Sequence, residues 1–532
     1  MATTRVTFTS SEVGNGLNND SGLLTGQDGG AAVRLQSQDT DGVLTGSEIR
    51  VGDEGLRLTA GAGDFFDVRD LVSGDQRGAL FSSVNLGSDG IDAFLGGDLN
   101  DYMNGGLGDD QLQGGLGDDF LVGGAGDDVL TGAGGIDSFI GGAGNDRIDG
   151  GVGIDWVSYA GSTAGATIRL NGGATLDGMG GTDTLFGIED ATGSAFNDTI
   201  IGSGVSNTLR GGLGSDYLIG MAGDDVLVGG AGSANTLQGG VGDDVYVVSA
   251  NDTIIEASGE GVDLVQTTNA SQRLSANVEN LTFTGTGEFQ GVGNVMDNRI
   301  IGGEARDTLI GLAGNDTLVG GSGAANQLFG GLGDDVYIVS ANDTIVENAG
   351  EGVDAVATTN ARFTLGANIE NLDFTGTGSF TGTGNALANV IQGGEGDDVL
   401  TGRGGDDTLV GDLGTDVAVF TGVRADYTIA LTLDGYQVTD NTAGRDGVDQ
   451  LMGVERVRFA NGEEFLLTDL FPIPAADALA KSAGMQVMPI WEDASFGAAQ
   501  EKAFFEPMGD AHDAMPITPH ALVEFGHNDA WL

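Results

Sequence analysis

GGLGDDQLQGGLGDDFLVGGAGDDVLTG, residues 105–132, contains three nearly identical nine-residue units, each opening on two glycines. A period of nine fits neither the 3.6-residue repeat of a helix nor the plain alternation of an amphipathic strand. The pattern extends in unbroken register over residues 87–158 as eight units, and returns as six units over 193–247, five over 293–338 and four over 384–419. Two units, GGAGSANTLQ (229–238) and GGSGAANQLF (320–329), carry one extra residue, and the total is 23. A larger repeat lies over this one. DDVYVVSANDTIIEASGEGVD recurs 91 residues later as DDVYIVSANDTIVENAGEGVD, and NVENLTFTGTG as NIENLDFTGTG, which reads as a duplicated roll-plus-spacer module.

Each position of the unit has a chemical task. Glycines at one, two and four permit positive φ and a tight turn, and leave backbone carbonyls free to converge on a cation. Position six is aspartate in most units: Asp92, Asp101, Asp110, Asp119, Asp128, Asp137, Asp146 and Asp155 in the first block. Position eight is large and apolar: Phe94, Met103, Leu112, Leu121, Leu130, Phe139, Ile148 and Val157. A unit is therefore a turn, a ligand and a core residue. Two units make one 18-residue coil, and stacked coils pair their short strands at about 4.8 Å, with an apolar ladder inside and two ladders of oxygen ligands at the turns. Carboxylates and carbonyls together are the donor set calcium prefers. Asp109, Asp118 and Asp127 at position five read as solvated neighbours, and Tyr246 and Tyr337 as core residues.

Composition agrees. Among 532 residues there are 99 Gly, no Cys, and 79 acids against 20 bases, a formal charge of 20 − 79 = −59. A compact body with that charge repels itself unless a cation neutralises it. Nucleic acid and anionic membrane are unsuitable partners. Disorder conflicts with the 39% hydrophobic content at regular spacing. Without Cys there are no disulfides or thiolate metal sites. Residues 1–14, MATTRVTFTSSEVG, lack the apolar core of a secretory signal peptide, and no run of 18 apolar residues predicts a membrane span.

The G-G-x-G-x-D-x-U-x pattern resembles that of the RTX, or hemolysin-type, calcium-binding repeat proteins over residues 87 to about 471. The resemblance implies an all-β fold, a parallel β-roll, with Ca2+ held by the position-six aspartates. In the later blocks these are Asp198, Asp216, Asp225, Asp244, Asp307, Asp316, Asp335, Asp398, Asp407 and Asp416. Asn207, Asn298 and Asn389, and the offset Asn235 and Asn326, predict weak or absent sites. If each block loses two sites at its ends, roughly 15 ions remain, cancelling about half of the formal charge.

The remaining segments are read around the four rolls. Residues 1–86 predict a small N-terminal β domain or cap, and 159–192 a β insertion. The duplicated spacers, 248–292 and 339–383, predict wider β-coils that continue the solenoid. Their Glu256, Glu260 and Asp263, with counterparts Glu347, Glu351 and Asp354, read as solvated charge, with calcium binding as the alternative. Residues 420–471 predict a capping β module with a hairpin at Asp434-Gly435 and another in VERVRFANGEEF. All six prolines and all three histidines follow residue 471. Residues 472–532 thus form an irregular tail, with a short helix expected in PAADALAKSAG. In the resembled family such a C-terminal segment directs export by type I secretion machinery, which implies an extracellular location.

No H-E-x-x-H or G-x-S-x-G motif and no candidate catalytic residue is present, so the chain is read as a non-enzyme. The expectation is a secreted calcium-binding repeat protein that folds outside the cell, with a structural or adhesive role at a cell surface or in a matrix. The alternative is a secreted module that binds a host or carbohydrate (glycan) ligand. An RTX hydrolase and a pore-forming toxin are the remaining readings.

Overall fold

Three-residue strands with the apolar residue at their centre can bury one side chain each, so such a chain gains a core only by stacking coils. The computed structural model describes residues 83–470, except 88, 89, 233, 250, 322 and 341, together with short strand segments between residues 7 and 81. Its centre is a parallel β-solenoid of ~18 turns over residues 85–418.

One face of the solenoid is unbroken. Parallel pairing starts at Ser83–Leu86 on Asp101–Leu107 and passes from coil to coil until Thr408–Val410 meets Val448–Met452. The register is that of the repeat: Met103, Leu121, Phe139 and Val157 are successive partners. The spacer strands Leu264–Thr267, Asn280–Phe283, Ala355–Thr358 and Asn371–Phe374 take their places in this ladder.

The second face is interrupted. It runs in parallel from Ala93–Leu95 to Thr182–Phe186, then turns through antiparallel pairings with Ala174–Leu176 and Thr167–Arg169 before parallel stacking resumes at Thr199–Ile201. It stops at Thr253–Ile255, restarts at Ser271–Arg273, and breaks again between Thr344–Ile345 and Arg362–Thr364. The breaks fall in the two copies of the spacer, so duplication of sequence is duplication of this structural junction.

The core is one file of side chains. Met103, Leu121, Leu130, Phe139, Ile148 and Val157 are fully buried, and Tyr246 and Tyr337 occupy the same position eight in their units. Each spacer adds a stacked phenylalanine pair with centroids 4.5 Å apart, Phe283–Phe289 and Phe374–Phe380.

Both ends are closed by antiparallel strands. At the start, Glu48–Gly52 pairs with Gly55–Thr59, which pairs with Ser83–Leu86. At the other end Tyr427–Leu431, Tyr436–Asp440 and Val448–Met452 form a meander turning at Asp434-Gly435, where Gly435 takes φ 144°. Arg456–Arg458 and Glu464–Leu466 form the second expected hairpin. Here Phe420, Tyr427 and Phe459 pack with centroids 5.2–5.8 Å apart. Arg445 bridges Asp440 at 2.6 Å and Asp426 at 2.9 Å. Antiparallel edges that point away from the roll prevent further strand addition, the need of any solenoid end. The expected helix in the tail and most of 1–86 lie outside the described residues.

This packing predicts a sharp contrast between two leucines five positions apart. Leu121 is fully buried and Leu116 is 57% exposed. In calcium, Leu121→Ala is expected to cost ~2–5 kcal/mol and Leu116→Ala at most ~0.5 kcal/mol, as read by thermal melting. Equal costs would contradict a single-file core.

Candidate metal centre

Position six lies at the end of each turn, just before the strand that buries position eight. Every one of the eighteen expected aspartates is at most 3% exposed. From Asp110 onward, one carboxylate oxygen is held by the neighbouring coil. Asp110 Oδ1 accepts the N–H of Asp92, Asp119 that of Asp101, and Asp128 that of Asp110, at 2.7 Å each. The same bond recurs later, as from Asp225 N–H to Asp244 Oδ1 and from Asp398 N–H to Asp416 Oδ1, both 2.8 Å.

The other oxygen divides the turns into two kinds. In fourteen residues Oδ2 is buried and has no hydrogen-bond partner: Asp110, Asp119, Asp128, Asp137, Asp146, Asp155, Asp216, Asp225, Asp244, Asp316, Asp335, Asp398, Asp407 and Asp416. Each of these units has glycine at position four. Where position four is Leu99, Phe196 or Ala305, the N–H of position two turns inward instead and donates to Oδ2 of Asp101, Asp198 or Asp307, at 2.6–2.8 Å. Asp92 is buried at the start of the series. A glycine such as Gly126, at φ 136° and with the Gly108 carbonyl 2.0 Å from where its Cβ would be, allows the open turn, and a side chain there forces the other one.

Position one is glycine for a different reason than the expected positive φ. The glycines at this position keep negative or extended φ, and what they lack is room. A Cβ on Gly105 would lie 2.2 Å from Asp110 Oδ2 and 2.7 Å from the Gly123 carbonyl oxygen of the next coil. Carboxylate and carbonyl oxygens therefore crowd into the same small volume. This donor set is the one a hard cation fits.

The asparagines close their turns without an ion. Asn207, Asn298 and Asn389 accept the position-two N–H through Oδ1 at 2.6–2.8 Å. Their amide groups donate to carbonyls of the preceding coil: Asn207 to Glu189 at 2.7 Å, Asn389 to Ile369 and Glu370 at 3.1 Å. In the ten-residue units, Asn235 and Asn326 keep the ladder, accepting from Asp216 and Asp307, while Asp252 and Asp343 accept from them in turn.

The ladder also includes acids outside the nonapeptides. Asp183, Glu189, Asp263, Glu279, Asp354, Glu370, Asp449 and Glu455 each accept the N–H of the preceding ladder residue at 2.8–3.0 Å. Their common signal is an acid two residues before a buried apolar one, as in Glu279-Asn-Leu281 and Asp449-Gln-Leu451. The position-five acids behave as expected. Asp109 and Asp118 are exposed and accept N–H groups one coil on, at Asp127 and Ile136.

Burial raises the carboxyl pKa values, and neighbouring carboxylates add to the rise against the lowering effect of the N–H bond. Asp119, Asp225 and Asp316 reach about 8, Asp128, Asp155, Asp244, Asp335, Asp407 and Asp416 about 7, and Asp137, Asp146, Asp216 and Asp398 about 6. Folded values above unfolded ones favour the folded state at low pH, and that contribution is lost as pH rises through the folded values. In chelator the melting temperature is therefore expected to fall between about pH 5 and pH 8. In millimolar calcium the neutral-pH stability is expected to return, and to decline only on acidification. An ion-free melting curve that is flat or rising over that range would contradict the ladder electrostatics.

The comparisons with known proteins agree with this geometry. The family model of the RTX calcium-binding nonapeptide repeat, in its four-copy form, matches residues 86–121, 95–130, 122–157, 201–233, 292–325, 301–337 and 383–418. A curated relative, the endo-1,3-1,4-beta-glycanase ExsH of Rhizobium meliloti (strain 1021), is 42% identical over 94 residues. That match spans 18% of this chain and a fifth (20%) of the relative's length. The chain carries RTX calcium-binding nonapeptide repeats, in multiple copies across residues 86–418.

Proposed function

We propose that calcium is the folding switch of this protein, with the ions held at the open turns by the fourteen orphaned position-six carboxylates and the carbonyls beside them. The observation that carries this reading is the set of buried Oδ2 atoms without hydrogen-bond partners. Leaving one buried acceptor unsatisfied costs ~1–3 kcal/mol, and more when it is charged. Fourteen such losses exceed the net stability of ordinary domains, ~5–15 kcal/mol. A cation that meets those oxygens removes the penalty, so its binding free energy becomes folding free energy. Asp101, Asp198 and Asp307, whose second oxygen already holds an N–H, contribute less to the ions in this reading.

Extracellular modules bind calcium at ~10⁻⁴–10⁻³ M. At the much lower calcium levels inside a cell the acidic chain stays expanded, a form suited to passage through a type I channel, and outside it stiffens into a roll. The proposed role of that roll is structural or adhesive, at a cell surface or in a matrix. A glycan-binding role is the second reading, favoured by the partial likeness to a glycanase. No helix of the described residues is long and apolar enough to cross a membrane.

Circular dichroism of chelator-stripped protein at pH 7.5 is expected to show little β structure, with cooperative recovery on adding calcium but not sodium at equal ionic strength. Full β signal in excess chelator would overturn the switch. Calcium-dependent retention on washed cells supports the adhesive role. Saturable binding of a 1,3-1,4-β-linked glycan, without such retention, replaces it with the glycan-binding one.

A further inference from the structure

The two spacer junctions hold a different carboxylate cluster. Gln238 pairs with Ile255, so the next residue, Glu256, stands where the register of the roll places the first glycine of a turn, one coil beyond Gly239. In a regular turn nothing but backbone fits there. A Cβ on Gly239 would lie 2.0 Å from Asp244 Oδ2. At Glu256 the turn is longer, and a side chain enters the crowded volume. Oxygens of Asp244, Glu256 and Asp263 come within 4.8 Å of one another, and 91 residues on Asp335, Glu347 and Asp354 do the same. These are the two groups of three or more potential metal ligands among the described residues.

Burial is a second, separate observation. Glu347 is 8% exposed, its Oε1 accepts the hydroxyl proton of Tyr337, and its Oε2 has no partner. Asp244 Oδ2 and Asp335 Oδ2 are likewise buried and without a partner, and so are both oxygens of Glu256. Asp263 and Asp354 are 1% exposed. The reading of the spacer acids as solvated charge therefore fails for Glu256, Asp263, Glu347 and Asp354. None of the six forms an ion pair with a Lys or Arg of the described residues.

We propose that each triad, Asp244/Glu256/Asp263 and Asp335/Glu347/Asp354, is a dedicated divalent-cation site that fills before the nonapeptide turns. Three carboxylate oxygens spaced up to 4.8 Å apart suit a sphere of the 2.3–2.6 Å radius that calcium takes. A regular turn brings fewer charges to its ion, and affinity rises with the count of charged ligands. The sites also lie where the second face of the roll is broken. An ion there ties the glutamate of one coil to aspartates that brace the unbroken face, and restores a link the missing strand pairing does not supply. The inference rests on the calcium reading for its shared Asp244 and Asp335, while Glu256 and Glu347 belong to it alone.

Calcium titration of the full-length, chelator-stripped protein, with free calcium read by a fluorescent buffer, is expected to show two ions binding before the rest. In the double variant E256Q/E347Q those two are expected to weaken at least about tenfold, with the later ions and the calcium-saturated circular dichroism unchanged. D119N/D128N, far along the chain in the first roll, is expected to reduce the later class alone. If the double variant does not fold, E347Q by itself is expected to remove one of the two early ions. An unchanged early class in E256Q/E347Q or E347Q would overturn the triads and leave the nonapeptide reading standing. A wild-type chain that takes up no calcium would overturn both.

Discussion

One half-satisfied side chain, repeated, governs this molecule. From Asp110 onward, each position-six aspartate accepts a backbone N–H of the neighbouring coil with one oxygen and, at the open turns, buries the other without a hydrogen-bond partner. Pairs of like charges in a partly dry environment repel strongly, and desolvation adds several kcal/mol per ion. The hydrogen bond that a backbone N–H donates to Oδ1 fixes the carboxylate in place, so the strain cannot be relieved by rotating it outward. In the proposed switch, a cation between turns relieves it, and the same ion ties one coil to the next. Charge neutralisation and coil stacking are in this way one event.

The departures from the repeat follow the same physics. Where position four carries a side chain, the position-two N–H supplies the missing partner. Where asparagine replaces aspartate, its amide group takes the place of a cation toward the carbonyls of the previous coil. At the spacers a glutamate replaces the first glycine and concentrates charge. The roll thus has turns whose position-six side chain is fully hydrogen-bonded and turns that leave Oδ2 without a hydrogen-bond partner, and the two kinds are arranged in blocks. The blocks start with self-held turns, at Asp198 and Asn207, at Asn298 and Asp307, and at Asn389.

Much of this was legible in the residues. The nine-residue period with its apolar eighth position implied stacked coils, and Leu121 and Leu130 lie in the core as that period requires. The aspartate at six marked the ladder. What the pattern could not convey was the division among the aspartates, because the fate of Oδ2 depends on how a neighbouring N–H points, and a glycine-to-leucine change at four decides that. Glu256 and its counterpart Glu347 read as surface charge because DTIIE and DTIVE look like ordinary amphipathic strands, and nothing in ENLTF marked Glu279 as part of the ladder. Only the register of the stack puts Glu279 in the ladder and Glu256 beside Asp244. The break in the second face was equally hidden, since strand pairing across a spacer is a long-range property.

The likeness to a glycanase covers a fifth of that protein and 18% of this chain. In this chain the roll spans residues 85–418. The most direct measurement of the central claim is anomalous scattering from crystals grown in calcium. The account predicts peaks beside the Oδ2 atoms of the open turns, at Asp119 and Asp128 for example, and none within the self-held turns of Asn298 and Asn389. An ordered roll without ions at the open turns would contradict it.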